Sequence, residues 1–178
     1  MKKVFLTIIL TLLVLIFSIL VYMWSGIFDP GQMARHKPIT MWMISTTMRH
    51  SFEKRMKGIL APALTDTTML AQGFMHYNEM CVVCHGAPGI EPSELAKGLY
   101  PEPPRFYKSD DMPHPEESFW IIKNGIRMTS MPAFGSTHTD ANIWAITAFM
   151  LNKMNSMSPA EYHAWIKKYG DSEMESTR

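Results

Sequence analysis

Val4 to Trp24 is a run of 21 residues without a charge, crowded with Leu, Ile and Val. At about 1.5 Å per residue a helix over this run spans roughly 30 Å, the thickness of a bilayer core. A cleaved leader carries an apolar stretch of only about 7–15 residues that ends at a small-residue site. Val21-Tyr22-Met23-Trp24 offers no such site. Tyr22 and Trp24 instead suit the aromatic belt of a membrane interface, so the run predicts an uncleaved anchor. No second run of this length follows, and the chain is expected to cross once.

Beyond the anchor the apolar positions recur at three- and four-residue steps, and the prediction is all-α. Asp29-Pro30-Gly31 reads as a turn, and Pro38 opens a helix with Thr40, Met41, Ile44, Met48, Phe52 and Met56 near one face. Asp66-Thr67-Thr68 caps a second helix that carries Leu70, Phe74, Tyr77 and Met80 on one side. Gly73 lowers the stability of that helix and implies close approach of another backbone. Gly86 and Pro88-Gly89 end the helix. Phe119-Trp120-Ile121-Ile122 reads as a buried helical turn before Asn124-Gly125. A helix over 140–153 has Thr139 or Asp140 as its cap and turns Ile143, Ile146, Phe149 and Met150 inward. Ser158-Pro159-Ala160-Glu161 is a capping box with proline at the first helical position. Asp171 to Arg178 reads as a polar tail. The segments expected are an anchor over 1–26, a basic linker helix over 27–66, a central domain over 67–157 and a C-terminal helix and tail over 158–178.

Seventeen Lys and Arg against sixteen Asp and Glu give a net charge of +1, which lends no support to nucleic-acid binding. The local balance is more informative. Arg35, Lys37, Arg49, Lys54, Arg55 and Lys57 stand against Glu53. This stretch is either a solvated spacer or a basic, methionine-studded helix lying on anionic headgroups or a membrane partner. Met41-x-Met43 raises copper binding, but a helical apolar face explains these methionines better. Glu91, Glu94, Glu102, Asp110, Asp111, Glu116 and Glu117 outnumber Lys97, Arg105 and Lys108. That proline-rich insert is either a solvated loop or an acidic patch that steers a basic partner.

Both cysteines of the chain lie in Cys81-Val82-Val83-Cys84-His85. A zinc ribbon needs a second pair, a thioredoxin-like dithiol needs a βαβ context, and a disulfide leaves His85 unexplained. Cys-x-x-Cys-His is the attachment signature of one covalent haem c, with both thiols forming thioethers and His85 ligating the iron. The opposite ligand is sought in Asn124 to Gly135, an ordered loop by its Pro and Gly content. Met128 and Met131 both qualify. Pro132 restrains the backbone of Met131, which makes Met131 the preferred ligand and Met128 a packing methionine. His/Met ligation keeps iron six-coordinate and suits electron transfer. His36, His50, His76, His114, His138 and His163 follow no second Cys-x-x-Cys, and His138 is the alternative distal ligand. Trp120 and Arg127 are candidates to hydrogen-bond a haem propionate, Arg127 through its forked guanidinium.

Gly73, Tyr77 and the Cys81–His85 motif, Met131 to Gly135, Pro103-Pro104-Arg105-Phe106 and Ile143 to Leu151 together resemble a membrane-anchored class I cytochrome c. The chain is similar to the cytochrome subunits of bacterial respiratory chains, over about residues 67–155. The resemblance implies that the Pro104 carbonyl accepts a hydrogen bond from His85 and that Phe149 packs the closing helix against Gly73 and Tyr77. It also implies attachment of haem outside the cytoplasm. Lys2 and Lys3 before the span nearly balance Arg35 and Lys37 after it, so charge alone does not orient the chain. The implied topology is the bacterial inner membrane with the haem domain on the periplasmic side. The expected role is a one-electron carrier rather than an enzyme, acting as a shuttle or as the cytochrome subunit of an oxidase or dehydrogenase complex with redox partner proteins. The alternative is a haem enzyme or gas sensor with a labile sixth ligand.

Overall fold

A computed structural model describes residues 1–31, 36–109 and 111–176. The chain divides into two compact units, Met1–His36 and Lys37–Arg178. In the first, α1 (Lys2–Trp24) is a continuous helix whose residues are all exposed. Its aliphatic hydroxyls are satisfied internally: Thr7, Thr11 and Ser18 donate to the carbonyls of Lys3, Thr7 and Val14 at 2.9, 2.9 and 2.8 Å. Between Val4 and Val21 the helix thus presents an apolar surface whose hydroxyls are all bonded internally, as a lipid environment demands. By length and composition it can cross a membrane.

The second unit is helical, with one antiparallel bridge between Ala87 and Ile90 among the described residues. It begins with α2 (Pro38–Met56), with proline at the first helical position as the sequence predicts. Next comes α3 (Thr67–His76), whose cap Asp66 accepts from Met69 N at 2.8 Å. This helix does not stop before the cysteines. A π-helical turn, Tyr77–Cys81, carries it into α4 (Val82–His85). Such turns hold an extra residue and often mark functional sites. A short α5 (Glu94–Lys97) precedes α6 (Pro115–Asn124), α7 (Asp140–Asn152) and α8 (Pro159–Ser176).

The crossing of α3 over α7 is the centre of the unit. A Cβ placed on Gly73 would lie 1.9 Å from the carbonyl oxygen of Ala145. Glycine is therefore needed for the backbones to meet, as its place in the helix implies. The rings of Phe74 and Phe149 pack edge to face at 5.5 Å across this contact, and Tyr77 meets Phe149 at 5.6 Å. Thr139 is the α7 cap and accepts from Asn142 N. The inward residues Ile143, Ile146, Phe149 and Met150 are all buried. Against the other side of α7, Phe119 of α6 stacks on Trp144 at 4.2 Å.

α2 belongs to the same compact unit as the Cys81–His85 motif, and its Phe52 packs on Trp120 of α6 at 5.6 Å. α8 is likewise part of the core. Its capping box forms in both directions, Ser158 N to Glu161 Oε2 at 2.7 Å and Glu161 N to Ser158 Oγ at 3.2 Å. Tyr162 is fully buried against Phe74, and its hydroxyl reaches Asn78. The helix continues to Ser176, so most of the expected tail is helical; Thr177 and Arg178 lie outside the described residues. So do Arg35 of the basic stretch and Asp110 of the acidic one.

Candidate functional site

A cavity of about 410 Å³ opens between α4, α6 and the loops that follow each. Its volume falls in the range of roughly 300–1,000 Å³ usual for small-molecule and cofactor sites. The walls are mostly apolar, among them Met80, Leu99, Pro101, Ile121, Ile122 and Met150. Cys81, Cys84, His85, Pro104 and Met131 all line this one space. The sequence separates them by up to 50 positions, and the fold gathers them.

The attachment side is fixed by the turn after α4. Gly86 has φ +69, and a Cβ there would meet Ile90 O at 2.8 Å and the Tyr107 ring at 2.9 Å. The buried Tyr77 hydroxyl donates to Gly86 O at 2.9 Å. Cys81 and Cys84 are not bonded to each other. Burial pushes the Cys81 thiol up to about 12, with the neighbouring Cys84 adding a smaller push. A redox dithiol needs an accessible, low-pKa thiolate, so this environment opposes that reading of the pair.

His85 is held from two sides. Its Nδ1 donates to Pro104 O at 2.8 Å, which leaves the lone pair on Nε2. Phe106 stacks on the imidazole at 5.0 Å and 25°. Burial lowers the pKa of His85, opposed in part by the Pro104 carbonyl, and so favours the neutral, metal-ligating form. The loop carrying Pro104 is tied down by Arg105 to Glu91 and Glu102 at 3.0 and 3.1 Å and by Lys108 to Glu91 at 2.7 Å. Lys108 beside it holds the Glu91 carboxyl below its usual range. These pairs are exposed and screened by solvent, so their effect is on loop position more than on stability. They also neutralise part of the acidic insert. Neither the Phe106 stack nor this strap was legible in the sequence beyond the Pro-Pro-Arg-Phe run itself.

On the opposite wall the loop from Gly125 to Ser136 separates the two candidate methionines. Met131 is half-buried and lines the cavity. Met128 has φ +63, is 92% exposed and is not among the lining residues. Thr129 Oγ1 accepts from Met131 N at 3.1 Å while donating to Ile126 O at 2.8 Å. Ile126 N donates to Met131 O at 3.3 Å. Gly125, at φ +66, lets the returning strand pass: its Cβ would sit 2.7 Å from Met131 O. The Thr129 clamp was missed from the sequence, where a threonine two residues before a methionine gives no distinctive signal.

Trp120 and Arg127 do not join the site. Ser118, Ile121 and Ile122 form the face of α6 that lines the cavity, and Trp120 turns toward α2. Its ring packs on Phe52, with the Arg55 guanidinium 5.9 Å from its centroid. Arg127 is exposed and outside the lining. The polar groups that do line the cavity include Ser118, whose Oγ is buried without a partner. An orphaned hydroxyl in a mostly apolar wall fits a bound group that carries polar substituents. His138 is also outside the lining, packed against His76 and Phe134 at 5.2 and 5.6 Å. Met41 accepts a hydrogen bond from Tyr100 while Met43 is exposed, and the structure does not bring the Met41-x-Met43 pair to a common site.

A helical domain that turns Cys-x-x-Cys-His into an apolar, cofactor-sized cavity has the build of a c-type cytochrome, and residues 68–150 form a monohaem class I cytochrome c domain. Residues 68–150 match the family described as cytochrome c oxidase, cbb3-type, subunit III. No curated protein matches the chain. The domain binds haem c covalently, with Cys81 and Cys84 at the attachment positions. When bound, the haem supplies a one-electron iron couple, and haem-based electron transfer is the chemistry of this domain. The chain's own residues orient the His85 imidazole at the cavity's wall and line the space with mostly apolar side chains.

Proposed function

We propose that the chain is a membrane-tethered electron carrier whose haem iron is ligated by His85 and Met131. The observation that carries this reading is the placement of Met131 in the same cavity as His85, with Met128 left exposed outside it. A thioether opposite imidazole raises the reduction potential and closes the sixth position, which favours outer-sphere electron transfer over ligand binding or bond-making catalysis. The oxidised protein should therefore show a methionine–iron charge-transfer band. Met131→Ala should abolish it and Met128→Ala should leave it intact. The reverse result, or ready carbon monoxide binding by the reduced wild type, would replace the carrier with a haem enzyme or gas sensor.

α1 is the tether in this reading, with the N-terminus inside and the haem domain on the periplasmic side of the inner membrane. Its length, its apolar surface and its internally bonded hydroxyls support an anchor. The mass of the mature chain separates an anchor from a removed leader, and protease accessibility in spheroplasts reads the side. The matched family is named for an oxidase subunit, which favours an oxidase complex as the partner over a free shuttle. Detergent pull-down from native membranes tests this: a subunit co-purifies with its complex, and a shuttle purifies alone.

A further inference from the structure

The sequence predicts a methionine-rich face on α2, and the structure turns most of that face inward, with Thr40 and Ile44 left exposed. Met41, Met48, Phe52 and Met56 are half-buried, and Phe52 meets Trp120 of α6. Burial of one face ordinarily leaves the other polar. α2 departs from this over its first two turns, where Ile39, Trp42 and Met43 are 60%, 64% and 58% exposed. At positions i, i+3 and i+4 they share one side of the helix. Beside them a shallow crevice is lined by Trp42, Ser45, Thr46 and Arg49. Basic residues follow, with Lys37, Arg49, Lys54, Arg55 and Lys57 against Glu53 alone between positions 37 and 57. Glu53 is itself paired with His50 at 3.1 Å.

We infer that this second face of α2 docks on an anionic lipid surface, with Ile39, Trp42 and Met43 entering the interface and Arg49 meeting headgroup phosphates. The inference rests on the membrane tether proposed above. Three observations favour a bilayer over a protein as the occupant. The 13 residues that join α1 to α2 reach at most about 45 Å when fully extended, so a bilayer that holds α1 is always within reach of α2. The patch combines an indole and two aliphatic side chains with an excess of cations, the composition of an interfacial helix. Its charge complements anionic headgroups, whose attraction acts within a Debye length of about 8–10 Å. The consequence is a haem domain held down on the membrane rather than free on its tether.

The test uses the full-length holoprotein in lipid nanodiscs. In it Cys81 and Cys84 are tied up as thioethers, so a Met43→Cys variant offers one reactive thiol for an environment-sensitive fluorophore. Glu94→Cys, on an exposed position of α5, serves as the reference. In discs containing phosphatidylglycerol the label at 43 should shift to shorter wavelength and be quenched by lipid-borne spin label, while the label at 94 stays aqueous. The shift should shrink in pure phosphatidylcholine, at high salt and in the Arg49→Gln background. A label at 43 that stays aqueous in discs that retain the protein overturns the inference alone. Failure of the protein to remain with the discs overturns the tether and the inference together. Shielding of position 43 that tracks protein concentration in detergent, without lipid, assigns the face to a second copy and also overturns it.

Discussion

Replacing Gly73 with alanine tests whether the α3–α7 crossing is as close as described. In an exposed helix this change stabilises, because glycine costs about 1 kcal/mol relative to alanine. Here the added methyl would lie 1.9 Å from Ala145 O, 2.5 Å from Ala145 C and 2.9 Å from Phe149 Cβ. Ordinary contact begins near 3.4 Å. Two of these three atoms are main chain and cannot swing aside, so the helices must part by roughly 1.5 Å. A radial gap of only about 0.5–1 Å already forfeits a quarter to a half of the dispersion well between facing atoms. The facing atoms include Phe74, Tyr77 and Phe149, the buried centre of the domain. Overpacking of this kind costs about 1–3 kcal/mol, and a backbone obstacle places it at the upper end. Set against the propensity gain, Gly73→Ala should destabilise by about 2 kcal/mol.

The assay is denaturant unfolding of the full-length holoprotein, followed by haem absorbance, with Gly98→Ala as control. At Gly98 a Cβ meets nothing closer than 3.6 Å and φ is −87°, so alanine there should be neutral or mildly stabilising. The two variants are thus expected to move the midpoint in different directions. A midpoint for Gly73→Ala equal to or above wild type would refute the close crossing and, with it, the placement of α7 behind the attachment helix.

Tyr77→Phe removes the buried donor to Gly86 O and should cost about 1–2 kcal/mol by the same unfolding assay. It should also flatten the alkaline limb of the stability–pH curve. Burial, with smaller contributions from Tyr162 and Tyr107, holds the Tyr77 pKa well above its ordinary value of 10.0 in the holoprotein, where Cys81 is an uncharged thioether. A value raised in the folded state means stability is fully present below pH 10.0 and is lost as pH climbs toward the folded pKa. Wild type should therefore weaken more steeply than Tyr77→Phe above that point, and parallel curves would refute the assignment. Thr129→Val keeps the shape but deletes the acceptor for Met131 N; it should cost about 1 kcal/mol and weaken the methionine–iron band, while Thr129→Ser retains both. Equal bands in all three proteins would show that Thr129 does not position Met131.

The attachment motif was legible because its chemistry is local: five consecutive residues specify it, and Met131-Pro132 marks a restrained loop. The position of the propionate candidates, outside the cavity lining, was not legible for the opposite reason. An indole and a guanidinium have the right chemistry wherever they stand, and only the phase of α6 shows that Trp120 faces α2. The same ambiguity hid the role of α2. Its apolar periodicity was readable, but whether the methionine face met lipid or protein depends on a partner more than 60 positions away in sequence.

What holds His85 and Met131 in place is largely main chain. Pro104 supplies a carbonyl to His85, Met131 is clamped through its own N–H, and Gly73, Gly86 and Gly125 each admit a backbone where a Cβ would collide. A frame built of carbonyls and amides leaves little trace in side-chain chemistry, and it surfaces in the sequence as glycine and proline. Substitutions in this frame should therefore disturb haem ligation without touching a ligand. Changes at Ile39, Trp42, Met43 or Arg49 should leave ligation intact and alter only where the domain sits. The two sets of residues lie on different elements, so their effects on the methionine–iron band and on membrane contact should separate cleanly.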